Sequence, residues 1–176
     1  MKILLIGKFP PMQGGIATKT YWLFKELEKK GFDFRSVTVE IEDYSIRVNN
    51  YNKSKTTTLK LKKSPWHIPE SELIGDRILS IALKIAESFS PDVIETNYLW
   101  PFCMPSVMVA DILGKPLIIR HAGSDILKFI NDNTYRAIMK IYFKRAAVVA
   151  TNHTVRQSIK KICDNYEKIN CLRRYI

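Results

Sequence analysis

Three short runs with hardly a polar residue in them constrain this chain more than any other feature. They are KILLIG at residues 2–7, PLIIR at 116–120 and AAVVA at 146–150. A run that is apolar along its whole length belongs to a strand covered on both faces, as in a parallel sheet. Val93 and Ile94 open a further short strand in DVIET, and Val37, Val39 and Ile41 alternate with polar residues as a strand does. Between these runs the period becomes helical. Ile16, Thr20, Leu23, Phe24 and Leu27 share one face, with charged residues between them and a stop at Gly31. Ile74, Ile78, Ile81, Ile85 and Phe89 mark the buried face of a second helix. A third runs from about residue 105 to 113 and stops at Gly114. Ile138, Met139, Tyr142 and Phe143 mark another, and Val155, Ile159 and Ile162 one more, before a last strand at 167–172. Strand and helix thus alternate about five times. The expected fold class is α/β: a Rossmann-like parallel sheet with helices on both faces and right-handed crossovers. One domain is expected over residues 1–176, a length that can bury its own core.

Three cysteines in no C-x-x-C pair argue against a disulfide framework and fit a reducing compartment, so a cytoplasmic location is expected. The first apolar run is too short for a signal peptide, and no later run reaches membrane-spanning length. The charge needs a partner or a solvated surface: 28 Lys and Arg stand against 17 Asp and Glu, a net +11. Residues 43–66 concentrate it, with Arg47, Lys53, Lys55, Lys60, Lys62 and Lys63 against Asp43. Within that stretch residues 57–62 read as an edge strand with Leu59 and Leu61 inward, and the rest as an exposed excursion. Tyr51 and Trp66 beside its lysines suit an anionic membrane surface. Nucleic acid is disfavoured, because the basic residues are scattered and no nucleic-acid-binding motif is seen.

In an open parallel sheet, ligands bind beyond the carboxyl ends of the strands. That rule selects four places. The loop KFPPMQGG ends in Gly14 and Gly15 just before a helix, where backbone N–H groups and the helix dipole favour an anion. It matches neither the Walker A loop nor the dinucleotide fingerprint, and a simple tight turn explains the glycines equally well. Asn97, Tyr98 and Trp100 follow DVIET, offering amide and aromatic groups to a hydroxyl-rich ligand or covering the rim of the core. RHAGSD gathers Arg120, His121 and Asp125 after a buried strand; Asp125 reads equally as a cap of the next turn. Asn152 is an N-cap candidate for the last helix. No metal or cofactor is expected.

Four segments in this order carry a resemblance: KILLIGKFPPMQGGIATKTYWLFKELEKKGF, PDVIETNYLWP, LGKPLIIRHAGSDI and AAVVATNHTVRQSI. The chain resembles the N-terminal, acceptor-side domain of a family 4, retaining, GT-B-fold glycosyltransferase. The resemblance implies transfer of a sugar from a nucleotide-diphosphate sugar, as co-substrate, to a hydroxyl acceptor. Gly14 and Gly15 would approach the donor diphosphate. His121 would line the cleft as the catalytic residue near the transferred sugar. Asn97, Tyr98, Arg120, Asp125 and Asn152 would face the acceptor, a sugar or a lipid-linked molecule. The run after the fifth strand carries one residue more than the family's His-Gly-Ser-Asp. Nothing here matches the family's C-terminal donor-binding domain, so that domain or a separate subunit is an expected partner. The chain by itself is expected to be weakly active or inactive. A second reading is a non-catalytic membrane- or partner-docking module of a split glycosyltransferase.

Overall fold

A computed structural model describes residues 1–41, 51–62, 68–121, 124–163 and 169–171, with the backbone alone described at 68–73, 121, 124 and 169–171. The elements in chain order are β1 (Lys2–Ile6), α1 (Gly15–Lys29), β2 (Asp33–Ile41), β3 (Thr56–Leu61), α2 (Ile68–Phe89), β4 (Val93–Thr96) and α3 (Cys103–Leu113). Then follow β5 (Leu117–His121), α4 (Ser124–Phe129), α5 (Asn133–Arg145), β6 (Ala147–Ala150), α6 (His153–Ile162) and β7 (Ile169–Cys171). The strands form one sheet in the order β3-β2-β1-β4-β5-β6-β7. Every pairing is parallel.

The strand period of two sorts the core onto the two faces of the sheet. Leu4, Ile6, Val37, Val39, Ile94, Ile119 and Val148 belong to one cluster, packed with residues of α2, α3, α5 and α6. Ile3, Leu5, Phe34 and Val93 belong to the other, with Phe24 of α1 and Phe9 of the first loop. Both faces of the sheet are therefore covered, which is what the unbroken apolar runs require. Among the described residues no helix is long and apolar enough to cross a membrane.

Several expectations change in detail. The polar alternates of β2 do not face solvent: Ser36 and Thr38 are fully buried. Their hydroxyls are satisfied inside the protein, Ser36 by Thr56 Oγ1 at 3.0 Å and Thr38 by the Phe9 carbonyl at 3.2 Å. On α2 the deepest line is Ile78, Ala82, Ala86 and Phe89, while Ile74, Ile81 and Ile85 are half-buried. Leu23 is 37% exposed, and Ala17, Thr20 and Phe24 carry the inner face of α1 instead. The short α4 was not expected, since its Ser-Asp-Ile-Leu-Lys-Phe is under two turns long.

The basic stretch is partly tied down. β3 lies at the sheet edge as expected, with Leu59 and Leu61 buried. Tyr51 packs on the Phe34 cluster. Lys55 bridges Glu28 and Asp33, 2.7 Å from each. Arg47, Lys63 and Trp66 lie outside the described residues.

Phe24 is fully buried, with ring centroids 4.7 Å from Phe34 and 6.2 Å from Phe9. Phe24→Ala is expected to cost about 3–5 kcal/mol in denaturant unfolding, through lost contacts and the cavity left behind. Leu23→Ala, one position along, should stay within about 0.5 kcal/mol. Equal losses at the two positions would contradict the facing assigned to α1.

Candidate functional site

The chain leaves β1 for the β2 side of the sheet and later returns to place β4 on the other side. The crevice beyond β1 and β4 is the expected ligand position in such a sheet. Two segments rise from it: residues 7–14 after β1 and residues 97–102 after β4.

The first of these is held in place by side chains from both neighbouring strands. Lys8 N–H donates to Asn97 Oδ1 at 2.7 Å, and Asn97 Nδ2 donates to the Lys8 carbonyl at 2.8 Å. On the other flank, Phe9 N–H donates to Thr38 Oγ1 at 3.3 Å, and Gly7 N–H donates to the Val37 carbonyl at 3.0 Å. A side chain at position 7 would strike the Asn97 amide oxygen, so the close approach demands glycine. The Phe9 ring then drops between Tyr21, Phe24 and Phe34, anchoring the loop in the core.

The Asn97 amide reaches further. Its nitrogen also donates to Thr20 Oγ1 of α1 at 2.8 Å. Arg120 of β5 donates to the same hydroxyl at 3.0 Å, and Thr20 donates its own proton to the Ile16 carbonyl at 2.7 Å. Arg120 also sets Nε and Nη2 on Glu95 Oε1 of β4, at 2.9 and 2.8 Å. Glu95 and Arg120 have only about a tenth of their side-chain surface exposed. One network therefore joins β1, β4, β5 and α1 beneath the crevice.

The residues expected at the acceptor fall into different places. Asn97 is fully buried and its amide is committed to the loop. Arg120 is engaged by Glu95 and Thr20. Asp125 is fully buried in the first turn of α4, where its Oδ2 accepts the Leu99 N–H at 3.1 Å. It braces the segment after β4 and so does more than cap its own turn. Trp100 is buried against Phe129 and Tyr135, covering the core. Asn152 caps α6, accepting the Val155 N–H at 2.9 Å. The backbone of His121 ends β5 opposite Ala150 of β6; its side chain lies outside the described residues.

Tyr98 stays half-buried at the crevice, and Lys8 Nζ lies 3.6 Å from its ring centroid. Burial pulls the Lys8 ammonium down to a pKa of about 8, against the opposing pull of Asp125. Sequence reading passed over Lys8, Thr20 and Glu95. The trace of Thr20 was a hydroxyl at an otherwise apolar helical position; Lys8 carried no local signal, because its environment is made by β4 and α4. Cys103 is no nucleophile here: burial, then the Asp125 charge, push its thiol well above the usual range.

Gly14 begins α1 at φ 112°, a backbone region that favours glycine, and no side chain caps the helix. Added β-carbons at Gly14 and Gly15 would meet nothing within 4 Å. Among the described residues no side-chain hydrogen bond caps the start of α1, which suits an anion held by backbone N–H groups. Among the described residues no His, Cys, Asp and Glu cluster could hold a metal ion.

Removing one partner of the Glu95–Arg120 pair strands a buried charge. Glu95→Leu is expected to cost about 3–5 kcal/mol, and Glu95→Leu with Arg120→Met much less, in a double-mutant cycle by denaturant unfolding. Additive losses would show that the pair is not coupled. For Lys8 the sign follows from its lowered pKa. Between about pH 8 and 10.5 the unfolded chain holds a proton that the folded chain has released, so this residue's contribution to stability rises with pH across that window and is lowest below it. Lys8→Met should flatten that part of the profile of unfolding midpoint against pH, and an unchanged profile would disprove the assignment.

Residues 15–153 match the model of a family described as glycosyl transferase 4-like. No curated protein matches the chain in sequence. Among solved structures it is similar to Anabaena Alr3699/HepE in complex with UDP and glucose, at 14% identity and a TM-score of 0.66, over 97% of this chain and 43% of that one. It is similar to sucrose-phosphate synthase from Thermosynechococcus elongatus, at 15% identity and a TM-score of 0.66, over 97% of this chain and 47% of that one. It is also similar to UDP-GlcNAc 2-epimerase from Methanocaldococcus jannaschii, at 16% identity and a TM-score of 0.62, over 98% of this chain and 45% of that one. The chain spans less than half the length of each, and its fold is one half of the GT-B arrangement. With 15–153 matched, well over half of its residues, the chain belongs to the glycosyl transferase 4-like family.

Proposed function

We propose that this chain is the acceptor-side domain of a glycosyltransferase that moves a sugar from a nucleotide-diphosphate donor to a hydroxyl acceptor. The observation that carries the reading is the bare N-terminus of α1, opened by Gly14 and Gly15 beside the crevice of the sheet. When the glycosidic bond to the donor breaks, negative charge collects on the leaving diphosphate. N–H groups fixed at a helix start, aided by the helix dipole, stabilise such charge without reorganising. Lys8 adds a cation at the head of the same loop, and a bound phosphate would favour its protonated form.

The acceptor would lie beside Tyr98 and the Lys8 ammonium seated on its ring, which offer a hydroxyl-rich molecule aromatic and polar contacts together. His121, at the end of β5, would orient the transferred sugar by donating a hydrogen bond. Asn97, Arg120 and Asp125 serve this site from beneath, as positioning residues. Asn152 acts by setting the start of α6. A donor-binding domain, in the same polypeptide or in a separate subunit, would grip the nucleotide.

The test begins with native mass spectrometry of the protein drawn gently from its source cells, to find the polypeptide or partner that carries a donor domain. That assembly is expected to transfer label from nucleotide-diphosphate sugars, and this chain by itself to show little. Steady-state transfer by the single chain would refute the division of labour. In the assembly, Gly15→Asp places a carboxylate where the diphosphate would bind. Transfer should fall at least ~10-fold while the melting temperature holds or rises, because an acid suits a helix N-terminus. Unchanged transfer would remove the diphosphate from this loop.

A further inference from the structure

We infer that the outer face of α5 and α6 is a docking surface for an anionic lipid bilayer. Residues 133–163 contain seven Lys and Arg and no Asp or Glu, with Arg145 engaged by Asp111 and Asp132 capping the start of α5. Arg136, Lys140 and Lys144 recur every four residues and are all exposed, so they form one stripe along α5. Met139 and Phe143, on the side of the helix that adjoins this stripe, are buried in the core. On α6, Lys160 and Lys161 are exposed too. Arg136 reaches across the gap, donating to the Lys161 carbonyl at 3.3 Å.

Two further features distinguish this surface from scattered basic residues. Ile141 stands 65% exposed among the cations. Between the helices runs a groove of about 240 Å³, with Arg136 and Lys140 beside Ala137 and Ile162. Cations on long stems reach phosphate headgroups while an apolar side chain enters the acyl boundary, the pattern of an interfacial helix.

The chemistry of the face selects lipid over other polyanions. Protein interfaces centre on aromatic anchors and are depleted of lysine. Single-stranded nucleic acid needs exposed rings on which bases stack. Here the rings are engaged inward: Tyr135 stacks on Phe129 at 4.3 Å between centroids, and Phe143 is fully buried. At the other edge of the sheet, in the stretch that sequence reading marked for membranes, Lys55 is already paired with Glu28 and Asp33. The proposal is independent of the transfer reaction, and its test reads binding only.

The experiment is co-sedimentation of the full chain with phosphatidylcholine vesicles, with and without equimolar phosphatidylglycerol. Binding is expected to the anionic vesicles and not to the neutral ones, with release as salt is raised. Lys140→Glu with Lys144→Glu should weaken binding at least ~10-fold, by reversing charge within a Debye length of the surface. Ile141→Ser should weaken it less and leave the salt dependence unchanged. Lys60→Glu with Lys62→Glu, at the β3 edge, should leave binding intact. Circular dichroism and melting curves confirm that each variant is folded; all the substituted residues are exposed. The proposal fails if neutral vesicles bind equally, if the α5 variant binds like wild type, or if the β3-edge variant loses as much. It also fails if inorganic phosphate at constant ionic strength displaces the chain, or if a single-stranded oligonucleotide binds through the same lysines while vesicles do not.

Discussion

The side-chain amide of Asn97 treats Lys8 as a strand treats its partner, accepting from its N–H and donating to its carbonyl. A loop leaving a parallel strand has polar backbone groups and no neighbour to satisfy them. Burying such groups unpaired is costly, and the amide removes the cost at the point where the loop crosses the sheet. Because the same nitrogen also reaches Thr20, the direction of the loop and the seat of α1 are set together. Thr20 and Phe24 fix the inner face of that helix, which starts just after Gly14.

Beneath that clip the protein buries an ion pair. A Glu–Arg pair of this kind is weak as a source of stability, since desolvation offsets most of the attraction. Its value is directional. The guanidinium can satisfy Glu95 and Thr20 together only when β4, β5 and α1 are in register, so the pair penalises other arrangements. Asp125 acts in the same way on the segment after β4, through the Leu99 N–H. Three residues whose chemistry suggests a reaction thus work as supports, while Tyr98 stays half-buried beside Lys8.

The strands and most helices were legible because burial on both faces leaves its mark in composition. KILLIG, PLIIR and AAVVA had no other fate, and the periodic residues of α5 and α6 announced helices directly. Misreadings arose where a local pattern has two physical solutions. A basic, polar stretch looks exposed, yet Tyr51 and Lys55 dock on partners far off in sequence. At the strand ends, Asn97, Arg120 and Asp125, expected at the acceptor, are engaged within the protein by Lys8, by Glu95 and Thr20, and by the Leu99 N–H.

By itself, the sequence determined the α/β class, the parallel sheet and the positions of most strands and helices. Those properties follow from local periodicity and from the need to cover apolar surface, and both are written along the chain. Only the tertiary structure decided which polar side chains support and which face the crevice. It alone brings Lys8 onto the Tyr98 ring and sets Arg136 of α5 against the Lys161 carbonyl of α6. Hydrogen-bond partners such as Lys8 and Asn97 lie 89 residues apart. The charge and reach of a side chain depend on what the fold packs around it, and no local pattern carries that information.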